Sequence, residues 1–305
     1  MTAAAALVTL LAGCSTADEG AGEDDGATTI GFVNGADTVF HTCLQKAVEQ
    51  AATSRNVRLI AANSEQNPVT ELSHIEDLLA RGVDALIVQT VDVNTLDVDI
   101  AKAEAAGIPI FLTSVNAENV AGILGAVVVD LRRLGALDAA WVEEDAAGQH
   151  VKVGVIGGAP GAASDLMVTG FQEALPAHAE VVSELPGMFD PGKAAEVAGD
   201  MIDAHPDLDY AFVANEEMAL SARQVFDAAG AHVKIVTVNG TDTGLKAVKD
   251  GRLSATVANS ARTLGELAVE NSLGLMEGGA VDKITSAPIL LVTRENVDEA
   301  PAYCS

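Results

Sequence analysis

The chain has 305 residues, and its 44 acidic and 17 basic side chains give a formal net charge of −27. This balance argues against nucleic-acid binding and against docking on an anionic membrane surface, since both need clustered Lys and Arg. A 49% hydrophobic content excludes a disordered chain, and three widely separated cysteines exclude a disulfide-rich scaffold and a cysteine-only zinc site. The sequence has no stretch of about eighteen apolar residues, so no membrane span is predicted.

The N-terminal segment has features of an export signal. Residues 3–13 form a short apolar run that ends in Leu11-Ala12-Gly13-Cys14, which resembles the bacterial lipoprotein cleavage box. Residues 1–14 are therefore predicted to be a lipoprotein signal peptide with Cys14 as the lipidation site, and residues 15–28 a flexible acidic tether. The first basic residue is Lys46, so either the true start lies upstream or the signal is imperfect. The alternative is a frayed, alanine-rich N-terminus.

From Thr29 onward the hydrophobic period switches repeatedly between that of a strand and that of a helix. Apolar residues from Phe40 to Ala51 recur at helical spacing, and the Asn67-Pro68 pair predicts the N-cap and first turn of the next helix. Gly107 predicts the C-cap of a third helix. Apolar runs in this half predict strands at 30–33, 57–61, 83–88 and 108–113.

The same alternation restarts at His150. Asp190-Pro191 repeats the N-cap signal, and Gly230 repeats the C-cap signal. Two successive β-α-β sets predict two doubly wound parallel sheets, with ligand expected in the cleft between two lobes. The predicted strands are 151–156, 181–185, 210–214 and 233–238, and the predicted helices are 164–175, 191–204 and 216–229.

Enzyme motifs are only partly matched. Residues 187–194 nearly fit a phosphate-binding loop, but Ala194 replaces the hydroxyl that would hold Mg²⁺ and Pro191 removes a backbone N–H. The glycines at 154, 157 and 158 lack dinucleotide-binding spacing and indicate a tight turn. The six histidines are scattered without the i, i+4 spacing of a helical zinc site. These features favour a binding protein over an enzyme.

Several segments occur in a characteristic order along the chain. The most specific are Ala-Asn-Glu-Glu-Met-Ala-Leu at 214–220 and Asn-Gly-Thr at 239–241. Together they resemble the periplasmic ribose-binding-protein family, the type I sugar-binding components of ABC importers. The resemblance runs from about Ile30 to Asp298. The other segments that carry it lie at 67–72, 75–78, 81–87, 107–110, 169–172 and 291–298.

This resemblance implies an α/β fold of the type I periplasmic-binding-protein class. Such a protein has two Rossmann-like lobes with parallel sheets, joined by a three-segment hinge that closes on ligand. The first lobe is expected at 29–129 plus 259–286, and the second at 130–258 plus 287–305. The crossovers between the lobes are expected near Asp130, Asn259 and Pro288.

The resemblance also implies a ligand site with residues from both lobes. Alternative roles remain open for four of them: core packing for Phe40, a plain helix N-cap for Asn215, an Asn-Gly turn for Asn239 and a solvated hinge position for Asn259. The expected ligand-binding residues are Asp37, Phe40, Ser114, Asn116, Met167, Phe189, Asn215, Asn239 and Asn259.

Departures from the family pattern indicate the ligand chemistry. Ser114-Val115-Asn116 stands where the family has an Asp-Arg pair, Met167 replaces a second Arg, and Asn239 replaces an Asp. The expected pocket is a ring of amides with one carboxylate, Asp37, which would need two or three hydroxyl or N–H donors to stay ionised when buried. Such a pocket suits a neutral sugar or polyol and not an anion.

Two further cysteines have two interpretations. Cys43 and Cys304 either form a disulfide that pins the tail across the lobes or remain a buried thiol and a free terminal one.

The predicted function is that of an extracytoplasmic, lipid-anchored solute-binding protein that delivers a neutral sugar or polyol to an ABC permease. It is expected to be a monomer without catalysis, cofactor, metal or nucleic-acid partner. The alternatives are a sensor of the same fold that presents its ligand to a membrane receptor, and an α/β enzyme with a cleft site. A sugar-responsive repressor is disfavoured, because an acidic tether stands where a basic helix-turn-helix would be needed.

Overall fold

The computed structural model describes Met1 and residues 27–115 and 120–304. The lipidation site Cys14, the tether up to residue 26 and the predicted ligand residue Asn116 lie outside the described residues. Within the described ranges, no helix combines the length and the apolar character needed to cross a membrane.

The strands of the described chain form two six-stranded sheets. In chain order they are β1 (Thr29–Asn34), β2 (Arg58–Asn63), β3 (Ala85–Val88), β4 (Ile110–Ser114), β5 (Gly125–Val128), β6 (Val151–Gly157), β7 (Ala179–Pro186), β8 (Tyr210–Val213), β9 (Lys234–Asn239), β10 (Ala255–Asn259), β11 (Ile284–Ser286) and β12 (Ile289–Val292). The first sheet has the order β11-β5-β4-β3-β1-β2 and is parallel throughout. The second has the order β12-β10-β9-β8-β6-β7, and only β12 is antiparallel to its neighbour.

Helices alternate with the strands and pack on both sheets. They are α1 (Val39–Ser54), α2 (Pro68–Ala80), α3 (Leu96–Ala106), α4 (Leu131–Ala146), α5 (Ala162–Ala174), α6 (Pro191–Ala204), α7 (Glu216–Ala228), α8 (Asp242–Asp250) and α9 (Ala261–Met276), with a 3₁₀ turn at Val297–Glu299. Helix α4 packs against α5, β9 and β10, whereas α9 packs against α1, β4 and β5. The chain therefore passes between the two lobes at 129–130, at 260 and at 287–288. This architecture confirms the predicted fold class.

The predicted helix boundaries have local causes. Asn67 Oδ1 accepts hydrogen bonds from Val69 N at 2.8 Å and Thr70 N at 3.3 Å, with Pro68 at the first turn. Asp190 caps α6 in the same way, through Lys193 N at 2.6 Å. The near-phosphate-loop motif is thus the end of β7 followed by a capped helix, as the sequence indicated.

Two glycines, Gly135 on α4 and Gly170 on α5, allow these helices to pack closely and so position Met167. A Cβ built on Gly135 would lie 2.1 Å from Met167 O, and one built on Gly170 would lie 2.0 Å from Arg132 O. Only glycine at both positions allows α4 and α5 to pack this closely. The close packing brings Met167 beside the first turns of α4.

The C-terminal tail returns from the second lobe to the first. Ala302 O accepts a hydrogen bond from Ser260 Oγ at 2.7 Å, and Tyr303 O accepts one from Arg262 N at 2.9 Å. A disulfide joins Cys304 to Cys43 on α1, with the two Cα atoms 4.9 Å apart. Residues 300–304, termed the strap below, therefore connect the lobes in addition to the three crossovers.

Candidate functional site

A cleft lies between the sheets at the carboxyl ends of their parallel strands. It holds about 870 Å³ when its open mouth is included, and loops from both lobes line it. The polar groups of its wall are Thr38, His41, Gln66, Gln89, Thr90 and Ser114 from the first lobe and Ser164, Asn215, Asn239 and Asn259 from the second. The larger apolar groups are Phe40, Val91, Leu131, Leu134, Met167 and Phe189.

The structure brings most of the expected ligand residues together. The expected residues that line the cleft are Phe40, Ser114, Met167, Phe189, Asn215, Asn239 and Asn259. Asp37 is exposed, and only its neighbours Ala36 and Thr38 line the wall. The expectation of a buried carboxylate at Asp37 is therefore corrected. A carboxylate inside this cleft would lose its hydration without gaining a cation in return.

The cleft wall is uncharged in the part of the chain that the structure describes. No Asp, Glu, Lys or Arg side chain lines it, and its one ionisable group is the imidazole of His41. Among the described residues, no group of three or more His, Cys, Asp or Glu side chains could hold a metal ion. The polar contacts that this wall offers are amide and hydroxyl hydrogen bonds.

Two aromatic rings reach the cleft from opposite lobes. Phe40 lies in the first turn of α1 and meets the His41 ring edge-on, with the ring centroids 5.2 Å apart. Phe189 has a φ of +54° and covers Gly158, where a Cβ would lie 2.1 Å from Phe189 Cζ. Glycine at 158 is what leaves room for this ring. The faces of the two rings can pack against the C–H groups of a ligand.

The three asparagines of the second-lobe wall offer different groups. Asn215 caps α7 by accepting from Met218 N at 2.8 Å, while its Nδ2 has no hydrogen-bond partner within the described residues. The N-cap interpretation and the ligand interpretation of Asn215 are therefore compatible. Asn239 has a φ of +135°, and the buried Oδ1 of Asn259 lacks a partner in the described chain. Each amide retains capacity to bind a ligand.

Sequence reasoning did not single out His41 or Gln89 as site residues. The ring of His41 bonds Thr38 Oγ1 through Nδ1 at 2.9 Å and Gln89 Oε1 through Nε2 at 3.1 Å. Burial lowers the pKa of His41 to about 4, although the hydrogen bond to Gln89 and the charge of Asp37 raise it in part. Their positions could have indicated the site, because ligands bind beyond the carboxyl ends of parallel strands. Gln89 directly follows β3, and His41 lies in the first turn of the helix after β1.

A buried glutamate holds the second-lobe loop that carries Asn239. Glu216 accepts hydrogen bonds from Gly240 N and Thr241 N, both at 2.8 Å, from Thr241 Oγ1 at 2.5 Å and from Thr256 Oγ1 at 2.7 Å. Burial raises the pKa of Glu216, and these four hydrogen bonds oppose the rise. Nearby Asp138 is fully buried, and its own burial followed by the charge of Glu216 raises its pKa well above the ordinary value.

A second buried glutamate holds the first-lobe loop at residues 89–91. Glu71 accepts from Thr90 Oγ1 at 2.7 Å and from Val91 N at 2.9 Å. Burial is the main cause that raises the pKa of Glu71 to about 7 and that of the adjacent Asp99 to about 6. The protonated forms are therefore favoured more at this buried pair than at exposed carboxyl groups.

The lobes touch at the mouth of the cleft. Val39 N, at the start of α1, donates to Glu217 Oε2 of α7 at 3.2 Å. Gly161 has a φ of +145°, and a Cβ built on it would lie 3.0 Å from Val91 O of the opposite lobe. These contacts describe lobes that are closed over the cleft.

Two doubly wound lobes, three crossovers and a cleft at the strand ends define a type I periplasmic binding protein. Comparison with known proteins places the chain more closely. The family described as "Periplasmic binding protein domain" matches residues 30–280. The ribose import binding protein of Bacillus subtilis is 30% identical over 269 residues, covering 88% of this chain and 88% of that protein. The chain belongs to this family of periplasmic binding proteins.

Two other similar proteins are named for a polyol and for a bound sugar. The xylitol-binding protein of Mycolicibacterium smegmatis is 26% identical over 310 residues, covering 98% of this chain and 86% of that protein. The periplasmic binding protein of the arabinose ABC transporter from Shewanella sp. ANA-3, bound to α- and β-L-arabinofuranose, has a TM-score of 0.83 and 26% identity. That match covers 89% of this chain and 94% of the solved one.

Proposed function

We propose that this chain is the extracytoplasmic solute-binding component of an ABC importer and that it binds a neutral sugar or polyol in the interlobe cleft. The uncharged wall of amides, hydroxyls and two aromatic rings carries the proposal. Hydroxyl-rich ligands match it, because each hydroxyl donates and accepts while the C–H faces of the ligand pack on the rings. An anion would find no cation in the described wall and would be repelled by the net charge of −27.

The proposed mechanism is capture by hinge closure without a chemical step. The first lobe is taken as 29–129 plus 260–286 and the second as 130–259 plus 287–305, one residue later than the expected boundary at 259, because Asn259 ends β10 of the second sheet. Ligand bound between them favours the closed form, in which Val39 meets Glu217 and Gly161 meets Val91. The closed monomer then offers one continuous surface to a membrane permease, and lipid on Cys14 would keep the protein at the outer face of the membrane.

Nine residues form the proposed ligand site. Those seen in the cleft wall are Phe40, Ser114, Met167, Phe189, Asn215, Asn239 and Asn259, and Gln89 and His41 join them from the first lobe. The relatives support the choice of ligand class, since two of them are a ribose import binding protein and a xylitol-binding protein.

A thermal-shift screen tests the proposal. The purified chain is heated with D-ribose, L-arabinose, D-fructose, xylitol or myo-inositol, and separately with sugar acids and amino acids. Saturation at about a thousand times Kd adds roughly 4 kcal/mol, which raises Tm by several degrees. We expect such a shift with at least one neutral compound. A shift confined to anions or amino acids contradicts the proposal.

A matched pair of variants locates the shift in the cleft. Asn215→Ser keeps an N-cap oxygen for α7 but removes the Nδ2 donor, so it is expected to abolish most of the shift while retaining the fold. Asn67→Ser makes the same change at the cap of α2, outside the cleft wall, and is expected to leave the shift intact.

A further inference from the structure

Three side chains form a hydrogen-bonded row on the first-lobe wall of the cleft. The His41 ring joins Thr38 Oγ1 at 2.9 Å to Gln89 Oε1 at 3.1 Å, and Gln89 Nε2 makes a long hydrogen bond to Thr90 O at 3.4 Å. These residues all line the cleft, and Thr38, His41 and Gln89 are termed the His41 relay below.

The partners determine where the proton of the imidazole sits. An amide oxygen only accepts, so His41 Nε2 carries the hydrogen and donates to Gln89 Oε1. His41 Nδ1 is then unprotonated and accepts from the hydroxyl of Thr38. The ring is neutral at physiological pH, because burial lowers the pKa of His41 to about 4.

The surroundings of the relay keep this arrangement in place. A Cβ built on Gly35 would lie 2.1 Å from Gln89 Oε1, so the amide packs directly on the glycine backbone. Three charged groups lie near the relay: Asp37 on the same loop, Glu71, which accepts from Thr90 Oγ1, and Glu217, which accepts from Val39 N. All three are acidic, and within the described residues none of them lines the cleft.

The relay gives each end a defined role toward a ligand. Because His41 occupies the oxygen of Gln89, which lines the cleft, the amide N–H that does not bond Thr90 is left to donate. Because Thr38 donates its proton to His41, its oxygen is left to accept. We propose that His41 is a positioning residue that makes Gln89 a donor and Thr38 an acceptor for a ligand hydroxyl. The inference rests on the proposed function and assigns the recognition of a hydroxyl to this wall.

One arm of the test needs no ligand. Imidazole ¹⁵N NMR at pH 7 is recorded on the full chain, with the His41 signals assigned by the loss of signal in His41→Phe. We expect the Nε2–H tautomer in the wild type and a mixture of tautomers in Gln89→Leu. An Nδ1–H tautomer or a charged ring in the wild type would overturn the inference.

The second arm measures affinity by titration calorimetry with D-ribose and with xylitol. His41→Phe keeps the aromatic shape but removes the donor, and it is expected to weaken binding by about tenfold. Gln89→Leu is expected to weaken binding at least as much, and the double variant no more than Gln89→Leu alone. His41→Gln supplies a new N–H and is expected to recover part of the loss. His150→Phe, exposed and away from the cleft wall, is the control.

Additive losses in the double variant, or His41→Gln binding no better than His41→Phe, would overturn the relay while leaving sugar binding intact. A wild type that binds neither probe counts against the proposed function instead, and the tautomer measured by NMR still decides whether the relay exists.

Discussion

Each lobe buries one glutamate behind a loop of the cleft, and the two carboxylates are satisfied to different degrees. Glu216 of the second lobe accepts four hydrogen bonds, whereas Glu71 of the first lobe accepts two and lies beside Asp99. A buried carboxylate is tolerated to the extent that donors replace its water. Glu216 is therefore held by four donors, whereas Glu71 has two donors and a neighbouring carboxyl group that favours its protonated form.

The largest loss of stability is expected on removal of Glu216, which accepts four hydrogen bonds. Glu216→Ala leaves the Gly240 and Thr241 N–H groups and two threonine hydroxyls buried without their acceptor, which should cost about 3–5 kcal/mol of unfolding free energy. Urea denaturation measures the loss, with the exposed Glu143→Ala as control. A smaller loss of unfolding free energy in Glu216→Ala than in Glu71→Ala would contradict the stronger role given to Glu216.

The strap joins the second lobe to the first through the disulfide between Cys304 and Cys43. The double variant Cys43→Ser, Cys304→Ser removes the disulfide and should lower the unfolding free energy by about 2–4 kcal/mol. Wild-type protein under reducing conditions should show the same midpoint as the variant. If the oxidised wild type and the variant unfold together, the strap does not stabilise the assembly of the lobes.

A smaller effect is expected at the first-lobe glutamate. Glu71→Ala removes the acceptor of Thr90 Oγ1 and Val91 N but also relieves the contact with Asp99, so a loss of about 2 kcal/mol is expected at pH 8. Urea denaturation of this variant and of Glu216→Ala under the same conditions compares the two losses of unfolding free energy. Ligand affinity should fall as well, because the loop at 89–91 forms part of the cleft wall.

The raised pKa values of Glu71 and Asp99 predict that the stability of the first lobe depends on pH. The folded-state pKa values of Glu71 and Asp99, about 7 and about 6, lie above their ordinary values, so the native state holds the proton more tightly than the unfolded chain. This contribution to stability is complete below about pH 4 and is lost as the pH rises to about 7.

Asp99→Asn tests that dependence. The variant should be more stable than wild type by about 1–2 kcal/mol at pH 8, and the difference should vanish near pH 4.5. Denaturation curves at several pH values measure it, with the exposed Asp97→Asn on the same helix as control. A constant difference across the range would mean that folding does not raise the pKa of either carboxyl group.

Much of the fold follows from local signals. The Asn67-Pro68 and Asp190-Pro191 pairs cap helices as predicted, and Gly107 ends α3 with a φ of +70°. The apolar runs became strands because a parallel sheet covered on both faces buries every side chain, as at Ala85–Val88. The return of the strap to α1 depends on tertiary packing, which local patterns do not encode.

The site was less accessible to sequence reasoning. Amides such as Asn215 and Asn239 could be placed, since they stand at the ends of strands and fall on ligand positions of a known family, with Asn239 in place of a family Asp. His41 and Gln89 could not, because their roles depend on a contact between residues 48 positions apart. Asp37 was expected in the pocket, yet the turn that brings Ala36 and Thr38 to the wall leaves the carboxylate in solvent.

The preference of the cleft for an uncharged ligand is tested by comparing a neutral ligand with an acid of the same carbon skeleton. Titration calorimetry of the wild type is carried out with D-ribose and D-ribonate and with xylitol and D-xylonate. We expect one-to-one binding of at least one neutral member, at least about a hundredfold tighter than its acid, because the described cleft wall has no cation to replace the water of a carboxylate. Equal or tighter binding of the acid would contradict it.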